Sequence, residues 1–159
     1  MRRRKKYFKK EQDAPTPIEF VIRRRPHFGE VDAMAIMWHG NYAILFEEVS
    51  TELRRVCGLG YNDFFVAGIR APIVQLTVDY KLPLELDELA TVKAQLIWTE
   101  AARLNIEYEI IKEDGRLAAT GCTIQLFVEE VSGLPCFTIP DMFEACRKRW
   151  RAGEFEVGQ

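Results

Sequence analysis

The chain has 159 residues, 48% of them hydrophobic, enough for one sizeable core and too few for two ordinary domains. No apolar run approaches the roughly 18 residues that a membrane span requires, and the basic start Arg2–Lys10 leads into no apolar stretch, so it is not read as a secretory signal. The formal net charge of −2 hides an asymmetry: residues 1–10 carry seven positive charges and no acid, while the remaining 15 basic residues face 24 acidic ones, a net of −9. An acidic body argues against nucleic-acid binding. The four cysteines (Cys57, Cys122, Cys136 and Cys146) lack C-x-x-C spacing and read as reduced, packed thiols of a cytoplasmic protein. Two histidines without paired Cys/His clusters predict no metal site.

In chain order, residues 1–17 read as a basic tail without fixed structure, solvated through Pro15 and Pro17. It is a surface for anionic partners such as membrane headgroups or an acidic carrier protein. A folded domain is expected over 18–150 and a short C-terminal tail over 151–159. Ile18 to Arg24 alternates Ile18, Phe20 and Ile22 with Glu19, Val21 and Arg23, the pattern of a first strand. The stretch Val31-Asp32-Ala33-Met34-Ala35-Ile36-Met37-Trp38-His39-Gly40-Asn41-Tyr42 then sets one carboxylate in an apolar loop, seven residues before a His-Gly-Asn turn that opens a helix. A carboxylate in such surroundings is costly unless a hydrogen bond or a task compensates for it. The helix start offers unpaired N–H groups and a partial positive charge. Together they fit a carboxylate that attacks or activates water beside donors that polarise a carbonyl. The plainer alternative makes Asp32 a turn cap and His39 a hydrogen bonder at the helix start.

From Asn41 to Cys57 the residues Tyr42, Leu45, Phe46, Val49, Leu53 and Val56 form one helical stripe, which Gly58 and Gly60 end. A second strand is expected over Ile73 to Tyr80, with Val74, Leu76, Val78 and Tyr80 on one face, broken near Pro83. Leu89 to Thr99 and Arg103 to Lys112 follow as strands, then the turn Glu113-Asp114-Gly115-Arg116 and a last long strand, Leu117 to Val128. Val131-Ser132-Gly133-Leu134 reads as a turn and Asp141 to Trp150 as a C-terminal helix. One long helix followed by an antiparallel meander is an α+β plan. The open sheet edge calls for a partner, and pairing across a twofold axis supplies one.

Asp32 through Glu48, D-x-M-A-I-M-W-H-G-N-Y-x-x-x-F-E-E, resembles the hot-dog-fold acyl-CoA thioesterases of the 4-hydroxybenzoyl-CoA thioesterase type. The resemblance extends over roughly residues 18 to 143, through Pro72-Ile73-Val74 and the strand-like runs. It implies an antiparallel sheet of about five strands wrapped around one long central helix. It also implies a homodimer or homotetramer with active sites shared between chains, and a thioester substrate of coenzyme A with no separate cofactor. In that reading Asp32 is nucleophile or general base, and Gly40, Asn41 and Tyr42 present amides to the carbonyl. His39 bonds the carbonyl or orients Asp32, and Asn41 caps the helix. Met34, Met37, Trp38 and Phe46 are expected near the acyl group, and Lys81, Lys93 and Arg103 are candidates for the coenzyme A phosphates. Glu48 is the alternative acid, since another clade carries it on the helix after an H-G-G turn. A dehydratase or hydratase would use a pattern such as H-F-P-G, absent here. A non-catalytic binder of acyl-CoA or acyl carrier protein is the other alternative. Many relatives carry a Gly in the loop after the acid, where this chain has Ala33, Met34 and Ala35, so positive φ is not expected there.

Overall fold

The structure is a computed structural model that describes residues 5–156. Five strands form one antiparallel sheet in the order β1-β4-β5-β6-β3: β1 (Ile18–Arg24), β4 (Ala90–Ile97), β5 (Arg103–Ile111), β6 (Leu117–Leu126) and β3 (Ile73–Tyr80). The helix α1 (Tyr42–Val56) lies against the inner face of this sheet. Most of its expected stripe faces inward: Tyr42, Leu45, Phe46, Val49 and Leu53 are all buried, each contributing roughly 1.5–3 kcal/mol of apolar transfer, whereas Val56 at the last turn is 49% exposed. Period-two alternation sends Val92, Ala94 and Leu96 of β4 and Ile106, Tyr108 and Ile110 of β5 to the same interior.

The helix approaches closest over Gly121 of β6. A Cβ there would lie 2.4 Å from the Phe46 ring and 2.5 Å from the Thr77 carbonyl oxygen. Its absence lets Phe46 stack on Tyr108, with ring centroids 4.2 Å apart and planes 9° apart. The C-terminal helix α3 (Asp141–Arg151) packs Phe143, Cys146 and Trp150 into the core, and Trp150 meets Trp98 edge-on at 5.1 Å. Residues beyond it fold back, Arg149 reaching Glu154 at 2.8 Å.

Three features depart from the expected layout. A short helix, α2 (Tyr61–Ala67), fills a stretch to which the sequence reading assigns no element; Asp63 accepts the Gly60 N–H at 2.8 Å, a cap whose sequence mark is an acid three residues after the glycine. The last long run divides after Leu126, and β7 (Val128–Glu129) pairs with β2 (Ile69–Arg70) in a separate ribbon. Residues 5–17, expected to be solvated, instead form a strap across the outer face of the sheet. Lys5 pairs with Asp79 at 2.7 Å; the Tyr7 hydroxyl bonds Asp79 and Thr120; the Tyr7 and Phe8 amides donate to buried Glu107 at 2.8 and 3.0 Å. The carboxylates and hydroxyls that alternation sends to the outer face need partners, and the strap provides them. Residues 1–4 and 157–159 of the two expected tails lie outside the described residues. Among the described residues no helix is long and apolar enough to cross a membrane.

Candidate active site

The chain leaves β1 through Arg24, whose guanidinium organises the approach to α1. It donates to Glu30 at 2.5 and 2.6 Å and to Glu48 at 2.9 and 3.0 Å. Glu30 also accepts the His27 N–H at 2.9 Å. Hydrogen bonds from Arg24 hold the Glu30 carboxyl down at about 2, and the two carboxylates hold the Arg24 cation on. Glu48, the alternative acid, is therefore one side of an ion-pair clamp. Its neighbour Glu47 is occupied too, by Arg54 at 3.2 Å and by the Tyr61 hydroxyl.

Beyond the clamp, residues 31–38 form a tight hairpin. Val31 bridges Met37, the Asp32 N–H donates to Ile36 and the Trp38 N–H to Glu30, both at 2.9 Å. Asp32 heads its turn: its carbonyl accepts the Ala35 N–H at 3.0 Å and its Oδ1 the Met34 N–H at 2.8 Å. The expectation about φ is corrected here, because Ala35 takes φ +60° without a glycine. That conformation costs an L-residue roughly 1–2 kcal/mol, and bonds on both sides hold it, including Leu86 N–H to Ala35 O at 3.0 Å. Asp32 is half-buried, and among the described residues its carboxylate has no cationic partner and only Oδ1 engaged.

The His39–Asn41 turn is a 3₁₀ turn running directly into α1. The expected Asn41 cap does not form: the Asn41 side chain donates to the Glu30 carbonyl at 2.9 Å, tying this turn to the Arg24 clamp. Helix winding begins before Asn41, so a side-chain cap there would meet amides already within the turn. Trp38 lies over Gly40 so closely that a Cβ would come within 2.1 Å of its ring. His39 is exposed, 4.9 Å from the Trp38 ring, and its carbonyl accepts the Tyr80 hydroxyl at 2.6 Å. Asp32, Trp38, His39, Gly40 and Asn41 thus belong to one hydrogen-bonded unit, with Tyr42 entering the core below it, edge-on to Tyr80 at 4.9 Å.

The remaining sequence candidates lie elsewhere. Met37 (4% exposed) and Phe46 (1%) are core residues within the chain, whereas Met34 and Trp38 are exposed beside Asp32. Lys93 pairs with Glu19 and Glu109 on the outer sheet face, Lys81 is exposed after β3, and Arg103 opens β5 at the far end of the sheet. None of the three joins the Asp32 unit within one chain. Sequence reasoning passed over Arg24, Glu30 and Tyr80. Arg24 is only the last residue of the first expected strand, Glu30 carries no sequence mark, and Tyr80 is one more residue on the face of the second strand; only the meeting of β1, the hairpin, α1 and β3 gives them a role.

Comparison with known proteins places the chain in a family. The model of the thioesterase-like superfamily matches residues 26–145. A provisionally named esterase of Aquifex aeolicus is 33% identical over 95 residues, 60% of this chain and 74% of that protein. A Bacillus subtilis protein provisionally named an acyl-CoA thioesterase is 28% identical over 108 residues, 68% of this chain and 78% of its own. The structure of a DHNA-CoA thioesterase from Staphylococcus aureus superposes with a TM-score of 0.74 at 29% identity, covering 88% of this chain and 97% of that one. The chain belongs to the thioesterase-like superfamily and is a thioester hydrolase of hot-dog fold.

Proposed function

We propose that this hydrolase cleaves an acyl- or aroyl-CoA thioester to the free acid and coenzyme A, with Asp32 as nucleophile or general base. The observation that carries the assignment is the contrast among the acids around the start of α1. Glu30 and Glu48 share Arg24 and Glu47 is held by Arg54 and Tyr61, while Asp32 keeps one carboxylate oxygen unengaged on an accessible turn. The Asn41 amide, expected to polarise the carbonyl, is instead spent on the Trp38 carbonyl at 2.9 Å; the amides before it, of His39 and Gly40, have no acceptor within the turn and are suited to bind the carbonyl oxygen as negative charge develops on it. His39, exposed beside them, bonds the same carbonyl or orients Asp32. Attack by Asp32 would give a mixed anhydride and expel the coenzyme A thiolate, water then freeing the acid. As a base, Asp32 would instead take a proton from the attacking water. A thiol near pKa ~8.5 is a good leaving group, so neither route demands a strong general acid, and coenzyme A enters as substrate rather than cofactor.

Exposed Met34 and Trp38 favour an aromatic or longer acyl group beside the turn. The edge strand β3 leaves Ile73, Val74, Leu76 and Tyr80 half-exposed, which favours a homodimer or homotetramer with sites near the subunit boundary. The proposed setting is the cytoplasm.

Asp32→Asn keeps the Met34 hydrogen bond and removes both the nucleophile and the base. Thiol release over a panel of short, long and aromatic acyl-CoAs should show kcat reduced by roughly 10²-fold or more, with Glu48→Gln costing far less. Near-normal turnover in Asp32→Asn with a dead Glu48→Gln would move the acid to the helix. Hydrolysis of an acyl carrier protein thioester in the same panel separates the two thioester carriers, and light scattering showing a monomer at micromolar concentration would remove the shared-site arrangement.

A further inference from the structure

We infer that the cleft between the N-terminal strap and β5 binds a phosphate-bearing anion. The cleft has a volume of about 660 Å³ and is lined by Lys9 and Lys10 of the strap, by Trp98, and by Arg103 and Asn105 of β5. Asn105 is 3% exposed, yet its side-chain amide makes no hydrogen bond among the described residues and its Oδ1 is buried without a partner. Arg103 is half-buried two residues away; its Nε is likewise buried without a partner, and its guanidinium pairs with no acid among the described residues. Leaving such groups unpaired is destabilising, more so for charged ones, so their convergence on one cleft points to something that completes them.

The charge in the cleft decides what that is. Three cations line it; the one acid among its lining residues, Glu11, already accepts the Glu100 N–H at 3.0 Å, and Glu107, next along the outer face of β5, accepts the Tyr7 and Phe8 amides. A planar guanidinium and two ammonium groups fit a phosphate oxyanion, and the Asn105 amide, turned to present its NH₂, adds a neutral donor. The site is separate from Asp32 within one chain. Its residues sit on the outer sheet face, and Asn105 pairs with Ile97, seven residues along β4 from Ala90 at the Arg24 end, roughly 23 Å at strand rise. The strap therefore does more than cover the sheet: Lys9 and Lys10 supply half of a binding wall that β5 alone does not make.

Calorimetry on the full chain, at low and physiological salt, with inorganic phosphate, pyrophosphate and coenzyme A tests this without turnover. Saturable binding of at least one of the three is expected. Arg103→Gln should weaken it about tenfold or more and Asn105→Leu by a smaller factor, with melting temperatures near wild type. Lys9→Gln with Lys10→Gln, on an exposed segment, weakens binding without threatening the fold. Asp32→Asn should leave this binding unchanged, which keeps the result independent of the catalytic assignment. Arg103-dependent binding of coenzyme A alone, with KM raised and kcat unchanged in Arg103→Gln, assigns the phosphate to the substrate. Arg103-dependent binding of the inorganic anions with unchanged KM assigns a separate effector site. Absence of binding by all three, or binding indifferent to Arg103 and Asn105 in folded variants, overturns the inference.

Discussion

The start and the middle of α1 are held by different forces. At the middle, Phe46 enters the gap above Gly121 and stacks on Tyr108, so close packing alone fixes the helix against the sheet. At the start, the chain carries exposed backbone groups that packing cannot satisfy. Polar links do the holding there: Arg24 to Glu30 and Glu48, Asn41 to the Glu30 carbonyl, and Tyr80 to the His39 carbonyl. The difference shows how a reactive turn is kept in place without being buried. The clamp engages Glu30 and Glu48 and leaves Asp32 bonded only to the Met34 amide, with no cationic partner among the described residues.

Breaking the packed end should have the largest effect on stability. Gly121→Val forces side-chain atoms into the Phe46 ring and the Thr77 carbonyl, and should lower unfolding free energy by about 3 kcal/mol or more, read from urea midpoints. An unchanged midpoint would show that the helix position is not set there. At the polar end, Arg24→Met leaves Glu30 and Glu48 as unpaired neighbours and should cost about 2–3 kcal/mol. The pH dependence sharpens this. Because Glu30 titrates near 2 in the folded chain and near 4.5 otherwise, its contribution is fully present above about pH 4.5 and is lost as pH falls toward 2. Wild-type stability should therefore rise with pH across that window, and Arg24→Met should flatten the rise; equal slopes would detach Arg24 from the clamp. Tyr80→Phe removes one hydrogen bond to the His39 carbonyl and should cost about 1 kcal/mol, with a fall in kcat if that carbonyl positions the turn. Smallest of all, Ala35→Gly relieves the positive φ and should stabilise the chain by about 0.5 kcal/mol, the relief being partly offset by a more flexible unfolded state.

Wherever one periodicity ran long enough, the fold was legible in the sequence. The bounds of α1, β1, β3, β4 and β5 match the structure to within a residue or two, although a register shift between Ile73 and Gln75 interrupts the expected Val74 face of edge strand β3 and leaves it largely exposed. Burial on one face imposes those periods on any chain that adopts these elements. The short pieces, α2 and the β2–β7 ribbon, carry too few residues for a period to show. The strap was missed for another reason. Its basic, proline-marked composition reads as solvated, and the outward-facing Glu107, Thr120 and Asp79 that receive it lie 72 to 113 residues away in sequence.

The candidate site divides along the same line. Asp32, His39, Gly40 and Asn41 stood out in the sequence because a carboxylate and a glycine-bearing turn in an apolar stretch are chemically conspicuous. Which acid stays free was decided only by tertiary structure, since Arg24 can choose between Glu30, Asp32 and Glu48 only after β1, the hairpin and α1 have met. Local spacing specifies the elements and the reactive residue types, because both depend on neighbours within a few residues. Partners for charges depend on segments far apart in the chain, and only the folded sheet and helix bring those within hydrogen-bonding distance.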